Sequence, residues 1–322
     1  MVELNVLSTL ADWFGEVWDQ ITGIDPIYLV VGCTLQSGQT FLNGLAWRNI
    51  LRASFPEERV PLREIFAAYA GGIGLNSFLP AQAGTIAYLG MYRAIIANSK
   101  MVTIVAGGIA QNLFYAVVGT LVYIYLFTSR AAAENEASRE LSADGWWKVA
   151  LIGCAVALIV LVVRLLWKRF RSTWEQAKAG ATILTTPRRY CAQVLLPQVG
   201  AYALRMCVMG TFMKAFGIPV TIRNIFLIIA ANSISSTLAV TPGGVGTQQA
   251  LATVALRSVA PAATVTAYSL AQQMILMAWN IVFGLAMMAT TFGWSTTRDL
   301  IRSSREKSKQ GGIKALEEED AT

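Results

Sequence analysis

The chain alternates long apolar runs with short stretches where polar residues, prolines and glycines gather. Runs long enough for a hydrocarbon core of about 30 Å lie at 25–48, 101–128, 146–167, 191–216 and 263–292, and each predicts a membrane-spanning helix. Shorter apolar stretches flank two interruptions, "LPAQAGT" at 79–85 and "AVTPGGVGTQQA" at 239–250. At the start, Leu7, Leu10, Trp13, Phe14, Val17 and Trp18 recur at helical spacing, which predicts an interfacial helix over 1–24. That stretch has no basic beginning and no unbroken apolar run, so it does not read as a cleaved signal.

Composition agrees with this pattern. Only 14% of the 322 residues are charged and 55% are hydrophobic, against roughly 25% charged in soluble domains, so the chain reads as an integral membrane protein. It has no histidine, which removes the usual proton shuttle and imidazole ligand. No phosphate-cradling glycine motif is present, no nucleic-acid partner is implied, and no cofactor or metal site is expected. Cys33, Cys154, Cys191 and Cys207 fall inside predicted spans without metal spacing and read as small buried hydrophobes.

Charge sets the orientation. Lys and Arg mark the cytoplasmic segments of membrane proteins; the segment 168–190 and the tail after Gly293 each carry six, whereas 1–25 carries none. The chain is therefore expected to begin outside and end inside a prokaryotic plasma membrane. The acidic end after the basic stretch reads as a solvated tail.

The two interruptions belong to a repeat. Val60, Arg63, Ile65, Phe66 and Ala70 match Val220, Arg223, Ile225, Phe226 and Ala230 at one offset, and Pro80, Gly84 and Thr85 match Pro242, Gly246 and Thr247 two residues further on. "IAQNLF" at 109–114 then resembles "LAQQMI" at 270–275. The predicted fold is all-α: an inverted-topology repeat of span, re-entrant helical hairpin and span, with a linker transmembrane helix and interfacial helices. Repeat 1 covers 25–128 with a broken hairpin at 62–98. A linker, 129–190, holds the span 146–167 and a basic cytoplasmic segment. Repeat 2 covers 191–292 with a broken hairpin at 221–257, and 293–322 is the cytoplasmic tail. Inverted repeats of this kind are typical of transporters whose site lies at the repeat interface.

Non-helical backbone at membrane depth is tolerated only where protein or a wet cavity covers it. Gly243, Gly244 and Gly246, and Gly84 in the first copy, permit the turn, and the leading N–H groups of the second arms are expected to be open to an anion. Close packing of the two arms is the alternative use of the same glycines. Around the breaks cluster Asn76, Gln82, Thr85, Gln111, Asn112, Asn232, Thr247, Gln248, Gln249, Gln272 and Gln273, either as ligands or as interhelical glue. Arg205 sits roughly 11 residues, about 16 Å at helical rise, inside its span, where an anion or a set of carbonyls would hold it. Arg93 on the first hairpin is a weaker candidate of the same type. Arg48 and Arg164, close to tryptophans, read as interface anchors.

"LPAQAGTIAYLGMYR" and "TPGGVGTQQALATVAL" resemble the lysylphosphatidylglycerol synthase transmembrane family, also called the flippase-like membrane family. The resemblance covers most of 25–292. It implies a part that moves lipids between leaflets, without the soluble aminoacyl transferase domain of some members. Where that family has an acidic residue soon after each break, this chain has Thr85 and Gln249. A cationic headgroup would lack its counter-charge, and an anionic one suits the residues present.

Three functions follow as expectations. The first is a flippase for an anionic phospholipid or polyprenyl-phosphate-linked headgroup, working beside a lipid-synthesising enzyme in the bilayer. A membrane-embedded transferase is the second, for which Glu57, Glu58 and Glu64 on a basic cytoplasmic loop are the best acids the sequence offers. The third, a scaffold subunit, gives no reason for two breaks in the membrane interior.

Overall fold

The computed structural model describes residues 22–78, 83–137, 182–238 and 246–294. The predicted interfacial helix up to residue 21, the linker span 146–167 and the tail after 294 lie outside them. Among the described residues all regular structure is helical. The first half contains α1 (Pro26–Ser54), α2 (Leu62–Phe78), α3 (Ala83–Ile95) and α4 (Met101–Ala137). The second contains α5 (Leu196–Ala215), α6 (Ile222–Leu238), α7 (Thr247–Leu256) and α8 (Ala262–Phe292). Segments Met101–Phe127 and Ala262–Phe292 are long and apolar enough to cross a membrane. By contrast α3 and α7, at 13 and 10 residues, rise only about 20 and 15 Å.

Burial is distributed as a lipid solvent requires. On α4 the residues Ile109, Leu113, Val117, Leu121 and Ile124 form an exposed apolar stripe, while Thr40, Asn43, Gln111, Gln198, Gln249 and Gln272 are buried. Apolar side chains cost nothing against lipid, whereas polar ones are held between helices. The same logic corrects the reading of the cysteines: Cys191 and Cys207 are exposed and Cys33 is half-buried. A thiol on the outer face of a spanning helix needs no protein cover. Cys154 lies outside the described residues.

Glycines let the helices touch. The run "AGGIG" at 70–74 gives α2 two smooth faces. A Cβ on Gly74 would come within 2.8 Å of the Asn280 carbonyl oxygen, and one on Gly284 within 2.6 Å of that of Ala70, so α2 and α8 meet backbone to backbone. On its other face Gly72 abuts the Gly84 carbonyl oxygen, 2.7 Å from where a Cβ would sit, and joins α2 to α3. Between α1 and α5, Gly32 receives the Phe212 ring and Gly200 the Leu42 side chain. Small residues of this kind permit close helix approach in membranes.

α2 packs along α8 and α1 along α5, while α6 also touches α4. Each hairpin therefore contacts the last long helix of the other half. One buried cluster holds Trp47, Tyr69, Tyr88, Tyr92 and Met288, and another holds Phe212, Ile225, Ile228, Leu256 and Tyr268.

Local chemistry fixes the helix starts. Asp25 accepts the Ile27 N–H at 2.9 Å and Pro26 occupies the first turn of α1, a favourable N-terminal arrangement. Before α5 the chain makes one α turn, Pro187–Tyr190, and a wider π turn, Cys191–Leu195. Pro197 explains the widening, since it has no N–H to offer the carbonyl four residues back and its ring crowds that oxygen. The Gln193 carbonyl instead accepts Nδ2 of Asn49 on α1 at 2.7 Å.

Candidate functional site

Both hairpins are latched by side chains near their breaks. In the first, Asn76 accepts the Thr85 N–H at 3.2 Å and donates to the Thr85 hydroxyl at 3.1 Å. In the second, the Ser235 and Thr247 hydroxyls lie 3.0 Å apart. Gly246 takes φ 90°, a conformation that favours glycine. Its N–H donates to Oε1 of Gln249 at 2.7 Å. These bonds differ from the expectation of open amides, because the Thr85 and Gly246 N–H groups are already taken. Leaving a donor unpaired in an apolar interior is costly, and a glutamine three residues beyond the helix start is placed to satisfy it.

The polar character concentrates elsewhere, in a cavity of about 170 Å³ between α1, α5, α6, α7 and α8. Its lining brings together five residues singled out from the sequence: Arg205, Asn232, Gln248, Gln272 and Gln273. To these it adds Gln36 and Gln39 from α1, with Val208, Met209 and Leu276 as apolar wall. Gln36 and Gln39 had a legible signal, since two glutamines three apart share one face of an apolar helix.

Arg205 is half-buried, and among the described residues its guanidinium forms no hydrogen bond or ion pair. The Tyr115 and Tyr202 hydroxyls lie close enough to feel its charge. Tyr115 donates to Asn43 at 2.6 Å, and the buried Tyr202 hydroxyl has no partner among the described residues. Gln272 is 7% exposed, and the Asn232 Oδ1 atom is buried without a partner among the described residues. Gln36 is partly committed, donating to Asn280 at 3.2 Å.

A second, larger and mainly apolar hollow of about 520 Å³ lies between Trp47, α3 and α4. Thr85 and Asn112 line it with Tyr88, Leu89, Ile109 and Leu113. Asn112 occupies the position in "IAQNLF" that Gln273 occupies in "LAQQMI", so matched positions of the two halves face two hollows of opposite polarity.

The other candidates lie apart from the Arg205 cavity. Arg93 is in the last turn of α3, where a cation suits the helix end. Asn76 belongs to the first latch, and Gly84 is pressed against Gly72 and Asn76. Gln111 is buried, its backbone carbonyl accepting Nε2 of Gln198 at 2.6 Å. Gly246, Thr247 and Gln249 form the second latch, from which Gln249 donates to Gln273 at 2.7 Å. Gln82, Gly243 and Gly244 lie outside the described residues. Arg48 bonds the Val60 carbonyl at 3.4 Å and Arg63 the Thr290 carbonyl at 2.6 Å, both at helix ends or loops. Glu58 accepts from Asn98, a residue at φ 52°, at 3.1 Å.

No curated protein and no solved structure matches the chain. The model of the lysylphosphatidylglycerol synthase transmembrane region does match, over residues 5–299, and the chain belongs to that membrane-protein family.

Proposed function

We propose that the chain moves an anionic lipid between the leaflets of the plasma membrane without converting it, and that the Arg205 cavity receives the headgroup. The single observation that carries this reading is a half-buried arginine facing a polar cavity with no anion beside it among the described residues. An ionised group inside a membrane is retained where a partner compensates it, and here the partner is the phosphate of the lipid. The mainly apolar hollow beside Trp47 suits the acyl or prenyl tail.

The architecture supports alternating exposure of such a site. The first arms α2 and α6 are both 17 residues long and start at matching positions of the repeat. Each hairpin leans on the long helix of the other half. The short second arms are below the roughly 30 Å needed to cross, which favours re-entrant hairpins in an inverted repeat. With basic segments inside, a potential negative inside favours outward movement of one negative charge by about 2.3 kcal/mol per 100 mV.

The test is reconstitution of the full chain in vesicles with a trace of fluorescent anionic lipid. Wild type should move the lipid without changing it, and Arg205→Gln should slow movement by at least tenfold while folding as well as wild type. Movement by Arg205→Gln at the wild-type rate would remove the phosphate from this cavity. Chemical conversion of the lipid would instead place the chain among transferases.

A further inference from the structure

The wall around Arg205 is made of carboxamides, and this carries a statement about headgroup chemistry that rests on the reading of the cavity as a lipid headgroup site. The side chains of Gln39, Gln248 and Gln272 form no hydrogen bond among the described residues, and half-buried Asn232 has a buried Oδ1 atom without a partner there. A carboxamide presents a donor pair and an acceptor within one small planar group. Three kinds of headgroup answer such a wall differently. An ammonium brings only donors and calls for a carboxylate, and none lines the cavity among the described residues. A bare phosphate brings acceptors alone and would leave the amide donors answered but the amide oxygens without a partner, which is costly in a buried site. A hydroxyl donates and accepts at once, so a group with several hydroxyls satisfies both ends of each amide whichever way the amide is turned.

We infer that the cavity selects a phosphodiester bearing a small uncharged polyol, with the phosphate on Arg205 and the hydroxyls on Gln39, Asn232, Gln248 and Gln272. The cavity volume of about 170 Å³ lies below the roughly 300–1,000 Å³ of sites for drug-sized ligands. It suits a glycerol-sized headgroup and not an extended oligosaccharide.

The experiment compares lipids of equal charge. Phosphatidylglycerol and phosphatidylethanol are both phosphodiesters with one negative charge, and only the first has free hydroxyls; phosphatidylethanolamine supplies the amine. Movement in vesicles is read with binding by native mass spectrometry of the same full-length protein. Phosphatidylglycerol should be moved and retained at least tenfold better than phosphatidylethanol, with phosphatidylethanolamine below both. Gln272→Leu should bring that ratio down towards one. Gln248→Leu, at a half-buried position, gives the same readout should the first variant not fold. Equal handling of phosphatidylglycerol and phosphatidylethanol would overturn the inference and leave the flippase reading standing. Selective binding without movement of any lipid would overturn the flippase reading and leave the polyol specificity standing. Preference for the amine would overturn the inference.

Discussion

Gln249 ties the start of one helix to the middle of another: its Oε1 accepts the Gly246 N–H at 2.7 Å and its Nε2 donates to Oε1 of Gln273 at 2.7 Å. The first bond closes the break of the second hairpin, and the second fixes a side chain that lines the Arg205 cavity. Hairpin geometry and cavity shape are thus joined through one buried carboxamide.

Removing that side chain should therefore damage both. Gln249→Leu removes the partner of the Gly246 N–H and loosens Gln273, and each lost part-buried hydrogen bond costs about 0.5–1.5 kcal/mol. Thermal unfolding in detergent should show lower stability, and anionic-lipid movement should fall. Gln249→Glu keeps an acceptor for Gly246 but turns a carboxylate towards the Gln273 oxygen and adds negative charge near the cavity. It should slow anionic lipids more than zwitterionic ones, measured side by side in vesicles. An unchanged ratio would separate the latch from the cavity.

The close approach of Gly72 and Gly84 gives a second prediction, about folding. A Cβ at Gly84 would overlap the Gly72 carbonyl oxygen and come within 2.7 Å of the Asn76 nitrogen, so backbone would have to move. Gly84→Val should lower folded yield and thermal stability, with loss of transport as a consequence. Gly90, in the same helix, has nothing within 4 Å of its absent Cβ. Gly90→Ala should be neutral or stabilising by up to about 1 kcal/mol. If Gly84→Val unfolds like wild type, the contact between α2 and α3 is not a packing constraint.

These cases show what the sequence made legible. The spans near 101–128 and 263–292 and the two hairpin arms could be read because hydrophobic runs and the repeated Val, Arg, Ile and Phe pattern are local signals. Arg205, Asn232, Gln248 and Gln272 could be picked out because polar residues in apolar helices are expensive and need a reason. Their meeting with Gln36 and Gln39 could not be read, since it depends on how α1 lies along α5. The capping of Gly246 by Gln249 was written as a three-residue spacing. It was obscured by the glycines, which equally allowed an open anion site.

Asn49 and Pro197 supply a prediction in the form of a double-mutant cycle. The Gln193 carbonyl accepts Asn49 Nδ2 at 2.7 Å because Pro197 cannot donate to it. Asn49→Ala should cost about 0.5–1.5 kcal/mol, the net worth of a hydrogen bond at an exposed carbonyl. In a Pro197→Ala background the new N–H at 197 can take up that carbonyl, so Asn49→Ala should cost clearly less. Unfolding in detergent measures all four proteins. Equal losses in both backgrounds would show that the asparagine does not substitute for the missing backbone donor.

Orientation in the membrane is the last consequence, and it follows from charge. Six Lys and Arg residues in 168–190 and six after Gly293 favour the cytoplasmic side for both segments. Residues 129–145 carry Arg130 and Arg139 among four acidic residues and are expected outside. Single cysteines at Ser138 and Ser308 should then react with an impermeant thiol reagent from opposite faces. The background must lack the native cysteines, because Cys191 and Cys207 are exposed and would contribute their own signal. In intact cells only the cysteine at 138 should be labelled, and the one at 308 should react after permeabilisation. Labelling of both without permeabilisation would put the two segments on the same side. The halves would then not be inverted, and a cavity shared between them would lose its route to alternate exposure.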